Sequence, residues 1–276
     1  MIRLLAILVG LAFTGVAAWS LLWGAIAFAG DPPKETVEHR FHKHAEPLKL
    51  ASNGPFGKYD HAQLQRGLQV YKEVCAACHG LNQVSFRSLT ELGYDEPEVK
   101  AIAKQWQIEV PSINDKTGEV ASRKAIAADK FPNPYANEVA ARAANNNALP
   151  PDLSLITKAR EGGAPYIHSL LTGYRKPPAD LPKANQPGPG LYYNPYFVNL
   201  YIAMPPPITA DGQVTYADGT NPTVNQMATD VSAFLVWTAQ PELESRHRMG
   251  LAVLIFLFAA TGLAWLAYRN IWADRH

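Results

Sequence analysis

The sequence predicts a mainly α-helical protein in which one exported domain lies between two apolar segments, the last of them a transmembrane helix. Three observations carry this expectation. The chain has a charge-free run near each end, apolar residues recur at helical spacing into a Cys-x-x-Cys-His motif, and they recur again over Val224–Ala239. At 276 residues there is material for one sizeable domain or two small ones. Hydrophobic residues at 47% and charged residues at 18% exclude a disordered chain. A formal charge of +1 gives no electrostatic footprint for nucleic acid.

The first segment runs from Leu4 to Ala29 after a lone Arg3 and closes Ala27-Phe28-Ala29, followed by Gly30-Asp31-Pro32-Pro33. A basic start, an apolar stretch and a small-x-small ending describe a secretory signal peptide. The run also exceeds the roughly 7–15 apolar residues of a signal and reaches the ~20 that span a bilayer. Residues 1–30 are therefore read as a signal peptide or an N-terminal anchor, and both export the domain that follows.

The second segment runs from Met249 to about Trp272 with no charge before Arg269. Trp265, Tyr268 and Trp272 gather at its far end, as interfacial aromatics do. Arg246 and Arg248 flank one side, Arg269 and Arg275 the other, so charge alone does not orient it. Residues 245–276 are read as an anchor helix with a short cytoplasmic tail.

Only two cysteines are present, Cys75 and Cys78, and His79 follows at once. An exported domain stabilised by disulfides would use more. Cys-x-x-Cys-His is instead a c-type haem attachment signature: one helical turn sets the two thiols at the separation of the haem vinyl groups, and the adjacent imidazole ligates the iron. A thioredoxin-like pair would want a βαβ context and has no use for the histidine. A zinc half-site lacks a second cysteine pair. Asp60 reads as the N-cap of the helix entering the motif, with Leu64, Leu68, Tyr71 and Cys75 on one face.

The other axial position needs a donor. Met1 is the initiator, Met249 opens the membrane segment, and Met227 shares a helical period with Val231 and Phe234, which suits core packing. Met204 sits outside any such period, ahead of Pro205, Pro206 and Pro207. Prolines fix φ and make a stiff strap for a thioether held against iron. A loop methionine filling a gap is the competing reading. His39, His42 and His44 form a second candidate metal cluster, against an ordinary solvated tail, and His61, His168 and His247 are weaker axial candidates.

Between the motif and the strap, Lys100–Trp106 and Ala136–Ala144 read as short helices and Val110–Lys130 as a polar surface loop. Asp152 or Ser154 is expected to cap a helix that Gly162-Gly163 ends, followed by a helix over Tyr166–Tyr174 and a Pro-rich linker from Pro177 to Pro195. Pro241 interrupts the helix over Val224–Ala239, and a further helix continues through Arg248 into the membrane.

Seven pieces in order, Val70–His79, Ala140–Asn146, Ala148–Ser154, Ser169–Tyr174, Tyr193–Phe197, Ala203–Pro206 and Arg248–Leu251, resemble the cytochrome c1 family in its alphaproteobacterial style. The resemblance implies a class I cytochrome c fold with large insertions, plus the C-terminal transmembrane helix. It implies one covalent haem c on Cys75 and Cys78, with His79 and Met204 as iron ligands and Arg160, Tyr166 and Pro151 beside the cofactor. It further implies the electron-transfer subunit of a quinol–cytochrome c oxidoreductase in the bacterial inner membrane, with residues 31–244 a haem domain in the periplasm. The implied partners are cytochrome b, a Rieske iron–sulfur protein and a soluble or membrane-bound cytochrome c, within a dimeric complex. The chain has Asn147 where many relatives have glycine, and it has no cysteines for the extra disulfide of some bacterial relatives. Glu91, Asp95, Glu96 and Glu98 form a local acidic group, either a docking patch for a basic cytochrome c or an ordinary solvated surface. A haem subunit of another complex, or a haem sensor with an open iron site, are the alternative functions.

Overall fold

A computed structural model describes residues 2–32 and 35–273; Met1, Pro33, Lys34 and residues 274–276, with Arg275 of the charge comparison, lie outside them. The chain divides into two units, Met1–Phe41 and His42–His276. The first holds α1 (Ile2–Gly30) and the short α2 (Val37–Phe41). Every residue of α1 is exposed, and its 29 residues exceed what a bilayer requires. Within that run the Thr14 hydroxyl donates to the Gly10 carbonyl at 2.9 Å, so the helix satisfies its own polar group, as a lipid environment demands.

In the second unit α3 (His61–Val70) begins where expected: the Asp60 carboxylate accepts from the Gln63 amide. It runs into a π-helical turn, Tyr71–Cys75, that delivers the cysteine motif. Near the other end of the unit, α8 (Val224–Ala239) is capped by Thr223 and crosses α3. The crossing is close because position 67 is glycine. A Cβ there would collide with the Asp230 carbonyl oxygen and lie 2.6 Å from Phe234 Cβ. Gly67 therefore trades helix propensity for contact between the two backbones. One charge is buried at this crossing. The Asp230 carboxylate, fully buried on α8, accepts from Arg66 Nε at 2.9 Å, Gln63 Nε2 at 3.1 Å and Gln226 Nε2 at 2.8 Å.

Below the crossing lies an aromatic core. Tyr71, Phe86, Trp106, Phe131, Phe234 and Trp237 are each nearly or fully buried, with Phe86 stacked on Phe131 at 4.2 Å and Trp106 edge-on to Phe131 at 5.0 Å. Met227 is buried in the same core, as its helical period predicted.

Three local expectations are corrected. The stretch read as a surface loop contains an antiparallel hairpin, β1 (Val110–Ile113) and β2 (Val120–Arg123), closed by a turn through Gly118 at positive φ. The helix read from Lys100 starts earlier, as α4 (Glu96–Gln105). Asp95 and Glu98 form a reciprocal capping box and Pro97 occupies the first turn. Neither Asp152 nor Ser154 caps α6 (Ile156–Ala159); both accept backbone N–H groups around the cysteine motif instead. The expected short helix before it is α5 (Glu138–Ala144), capped by Asn137, and α7 (Gly163–Thr172) packs on α8. Inside the expected Pro-rich linker, β3 (Tyr192–Tyr193) pairs with β4 (Tyr201–Ile202).

After the break at Pro241, α9 (Leu243–Trp272) runs 30 residues, apolar and exposed along its length beyond Met249. The break and the first turns of α9 are pinned to the domain: the Tyr59 hydroxyl donates to the Gln240 carbonyl ahead of the break at 2.7 Å, the Tyr59 amide to Glu244 at 2.7 Å, and His247 Nδ1 to the Gly57 carbonyl at 3.2 Å.

Candidate haem-attachment site

The site is built on the turn that ends the π-helical segment. The amides of Cys78 and His79 both donate to the Cys75 carbonyl, at 3.1 and 2.9 Å, so the two sulfurs and the imidazole leave one closed turn. The buried Tyr71 hydroxyl donates to the His79 carbonyl at 2.8 Å and ties that turn to the aromatic core. Both cysteines are free thiols. Burial, reinforced by the neighbouring Cys78 sulfur, pushes the Cys75 thiol up to about 12.

His79 is held from outside the motif. Its Nδ1 lies 2.7 Å from the Pro151 carbonyl oxygen, and a carbonyl can only accept, so Nδ1 carries the proton. Nε2 is thereby left with a lone pair, the tautomer an iron ligand needs. Burial also holds the imidazole below its ordinary range, with the Pro151 bond acting against it, which favours the neutral ring. Pro151 is itself stitched in place. The Leu153 amide donates to Gly80 O, the Asn82 amide to the Asp152 carboxylate at 2.7 Å, and the Gln83 amide to Ser154 Oγ at 3.0 Å. Gly80 lies close under Asn133, whose Oδ1 would have to move aside for a Cβ at this position.

Met204 lies two residues past β4 in an irregular segment, half-buried, and the Tyr174 hydroxyl donates to its carbonyl at 3.1 Å. The strap beyond it is held by Gln213 Nε2, which donates to the Pro207 carbonyl at 2.8 Å. Leu200, just before β4, is buried at φ 65°, a left-handed conformation that costs a β-carbon residue and fixes the direction in which the strap sets off. Arg160 is exposed and Tyr166 half-buried, and the guanidinium is near enough to oppose the rise that burial imposes on the Tyr166 hydroxyl. Arg160 makes no salt bridge among the described residues, which counts against a plain surface ion pair.

A model of the cytochrome C1 family matches residues 50–275. That is most of the chain and all of this site. The chain belongs to the cytochrome c1 family.

Among its relatives, cytochrome c1 of Rhodospirillum rubrum is 45% identical over 80% of this chain and 85% of its own length. Cytochrome b/c1 of Bradyrhizobium diazoefficiens is 45% identical over 83% of this chain, which spans only 35% of that longer protein. The mitochondrial cytochrome c1 heme protein of Saccharomyces cerevisiae is 43% identical over 94% of this chain and 82% of its own. Cytochrome c1 proteins carry haem c covalently, and the present residues fit that group: two free thiols on one turn and a neutral imidazole with its Nε2 lone pair available.

The mainly helical fold with a C-terminal apolar helix accords with a class I cytochrome carrying a membrane anchor. Asn147 adopts φ 63° and Asn146 φ 49°, a left-handed turn that asparagine tolerates better than most residues with a Cβ. Two of the three competing histidines are engaged elsewhere, and His61 is exposed at the start of α3. His168 Nε2 donates to Asn225 Oδ1 at 3.0 Å, and His247 is pinned to Gly57. No group of three or more His, Cys, Asp or Glu side chains able to hold a metal occurs among the described residues, the cluster of His39, His42 and His44 included. Tyr71, Tyr174 and Asn133 are site residues that sequence reasoning did not single out. Tyr71 carried a signal, since it lies on the buried face four residues before Cys75.

Proposed function

We propose that this chain is the electron-transfer subunit of a quinol–cytochrome c oxidoreductase, taking electrons from a Rieske iron–sulfur protein and giving them to a soluble or membrane-bound cytochrome c. The observation that carries the proposal is His79, fixed by the Pro151 carbonyl in the tautomer that leaves Nε2 for iron, on the same turn as two free thiols. Haem c supplies the one-electron couple. The chain's residues would do the rest: Cys75 and Cys78 would tether the macrocycle as thioethers, and His79 Nε2 and the Met204 thioether would hold its iron. The Tyr174 bond and the proline strap hold Met204 in place without a disulfide. A methionine partner raises the potential relative to two imidazoles, which suits delivery to another cytochrome. Arg160 and Tyr166 would hold the propionates, a fork of donors being well matched to carboxylates. No bond chemistry falls to this chain alone; it is part of an enzyme only within the complex.

In this reading residues 1–30 are the signal or anchor, 31–244 the haem domain in the periplasm, and 245–276 the helix in the bacterial inner membrane with its cytoplasmic tail, within a dimeric complex that includes cytochrome b. The acidic group is left out of the reading, because most of it already serves the fold. Glu91 accepts from the Trp237 indole, Asp95 and Glu98 cap α4, and Glu96 pairs with Lys100. Copurification with a cytochrome b and a Rieske-type protein tests the assignment to the complex. The ferric near-infrared band of methionine–iron ligation tests Met204. Carbon monoxide binding to the ferrous protein at neutral pH would instead mean an open iron site.

A further inference from the structure

The loop Ser52–Lys58 stands at the root of α9 and has no part in the haem site. It is tightly made: the Gly57 amide donates to Gly54 O at 3.2 Å and the Lys58 amide to Ala51 O at 3.0 Å. Asn53 Nδ2 donates to Leu48 O at 2.9 Å, Gly54 turns at φ 82°, and a Cβ on Gly57 would collide with the Ser52 carbonyl. This closed loop nevertheless holds Phe56 77% exposed. Its placement along α9 follows from three bonds. Tyr59 reaches Gln240 and Glu244, whereas Gly57, two residues earlier, meets His247. Gly57 thus meets α9 nearer its apolar part than Tyr59 does, and Phe56 is the neighbouring residue, in the turn that Gly57 closes. His247 precedes Met249, the start of the apolar run, by two residues, or about 3 Å of helix. Lys58, Arg246 and Arg248, the chain neighbours of Gly57 and His247, are exposed, and Arg246 also donates to Gln240 Oε1 at 2.6 Å.

We propose that this loop is a foot of the domain on the lipid surface: Phe56 enters the headgroup boundary of the leaflet on the domain's side of α9. Lys58, Arg246 and Arg248 face the lipid phosphates around it. An aromatic ring at that depth with cations level with the phosphates is the arrangement that membrane interfaces select. The occupant is lipid because the exposed ring stands where α9 passes from the domain into its apolar run, which is long enough to cross a bilayer.

The test uses the holoprotein, in which haem attachment has consumed both native thiols. A nitroxide on Phe56→Cys is then uniquely placed, and one on Val120→Cys, 91% exposed at the hairpin, is the aqueous control. In phosphatidylcholine–phosphatidylglycerol vesicles, collisions of the label at 56 with an aqueous nickel chelate should be largely lost while those with oxygen persist. The label at 120 should remain open to both, and the Soret spectra confirm folding. A label at 56 that meets the chelate as freely as the label at 120 overturns the proposal. Shielding from oxygen and chelate alike overturns it too, since that would mean protein rather than lipid covers Phe56.

Discussion

Replacing Asp230 with alanine should be among the most damaging single changes outside the haem site. The carboxylate is fully buried, its partner Arg66 has a side chain 14% exposed, and Gln63 and Gln226 complete the set of donors around it. Removing it takes the buried partner from Arg66 Nε and strands two amides at the crossing that carries the cysteine motif on one helix and the core on the other. Breaking a buried pair from one side costs about 3–5 kcal/mol. For a domain of this size 1 kcal/mol corresponds to roughly 2–4 °C, so the midpoint should fall by about 6–20 °C. Arg66 also donates to Asp218, at 2.7 Å, but that carboxylate is on the surface, so Asp218→Ala should leave the midpoint close to wild type. Thermal unfolding of the detergent-solubilised holoprotein, followed by Soret circular dichroism, reads both. A loss under about 2 °C for Asp230→Ala, or equal losses for the two aspartates, would refute the view that burial at the α3–α8 crossing decides the cost.

Gly67→Val should be worse than the ~1–3 kcal/mol of ordinary overpacking, because the colliding atoms include backbone; denaturant midpoints and holoprotein yield both report it. Tyr174→Phe keeps the ring but removes the bond to the Met204 carbonyl, and a weakened near-infrared band with a lowered potential is the expected readout. Met204→Leu should abolish that band and admit carbon monoxide to the ferrous form. Burial raises the Tyr59 hydroxyl well above its ordinary value. The folded state therefore keeps a proton that the unfolded chain releases above about pH 10, so this contribution is intact below that pH and is lost as pH rises further. Tyr59→Phe should flatten the alkaline fall in midpoint temperature, seen by repeating the melts from pH 8 to 11.

The elements most legible in the sequence were those whose physics is local or strongly periodic. The span of α8 follows from apolar recurrence with Thr223 before it, and α9 from an uninterrupted apolar run. The hairpin escaped notice because its strands are four residues long and one contains Pro111, too short for alternation to register. The start of α4 was legible in principle. Asp95-Glu96-Pro97-Glu98 is a capping-box sequence with proline in the first turn, and treating it as an acidic group obscured that. In the site, the cysteines and histidine declare themselves by spacing. The Pro151 carbonyl cannot do so, because any residue has one and only the stitching of residues 80–83 to 152–154 brings this one to His79. Leu200 at positive φ is unreadable for the opposite reason, since nothing in a leucine announces a left-handed backbone.

The pins at Tyr59 and His247 bear on how the protein behaves as a spectroscopic object. A haem domain on a flexible tether would present its macrocycle at every tilt, and a stacked-membrane sample would average them. Here Tyr59 and Gly57 each bond a residue in the first turns of α9, so a haem tethered to this domain would hold one inclination to that helix. Planar membrane multilayers rotated in a magnetic field should then give resonances that shift with sample angle instead of a powder pattern.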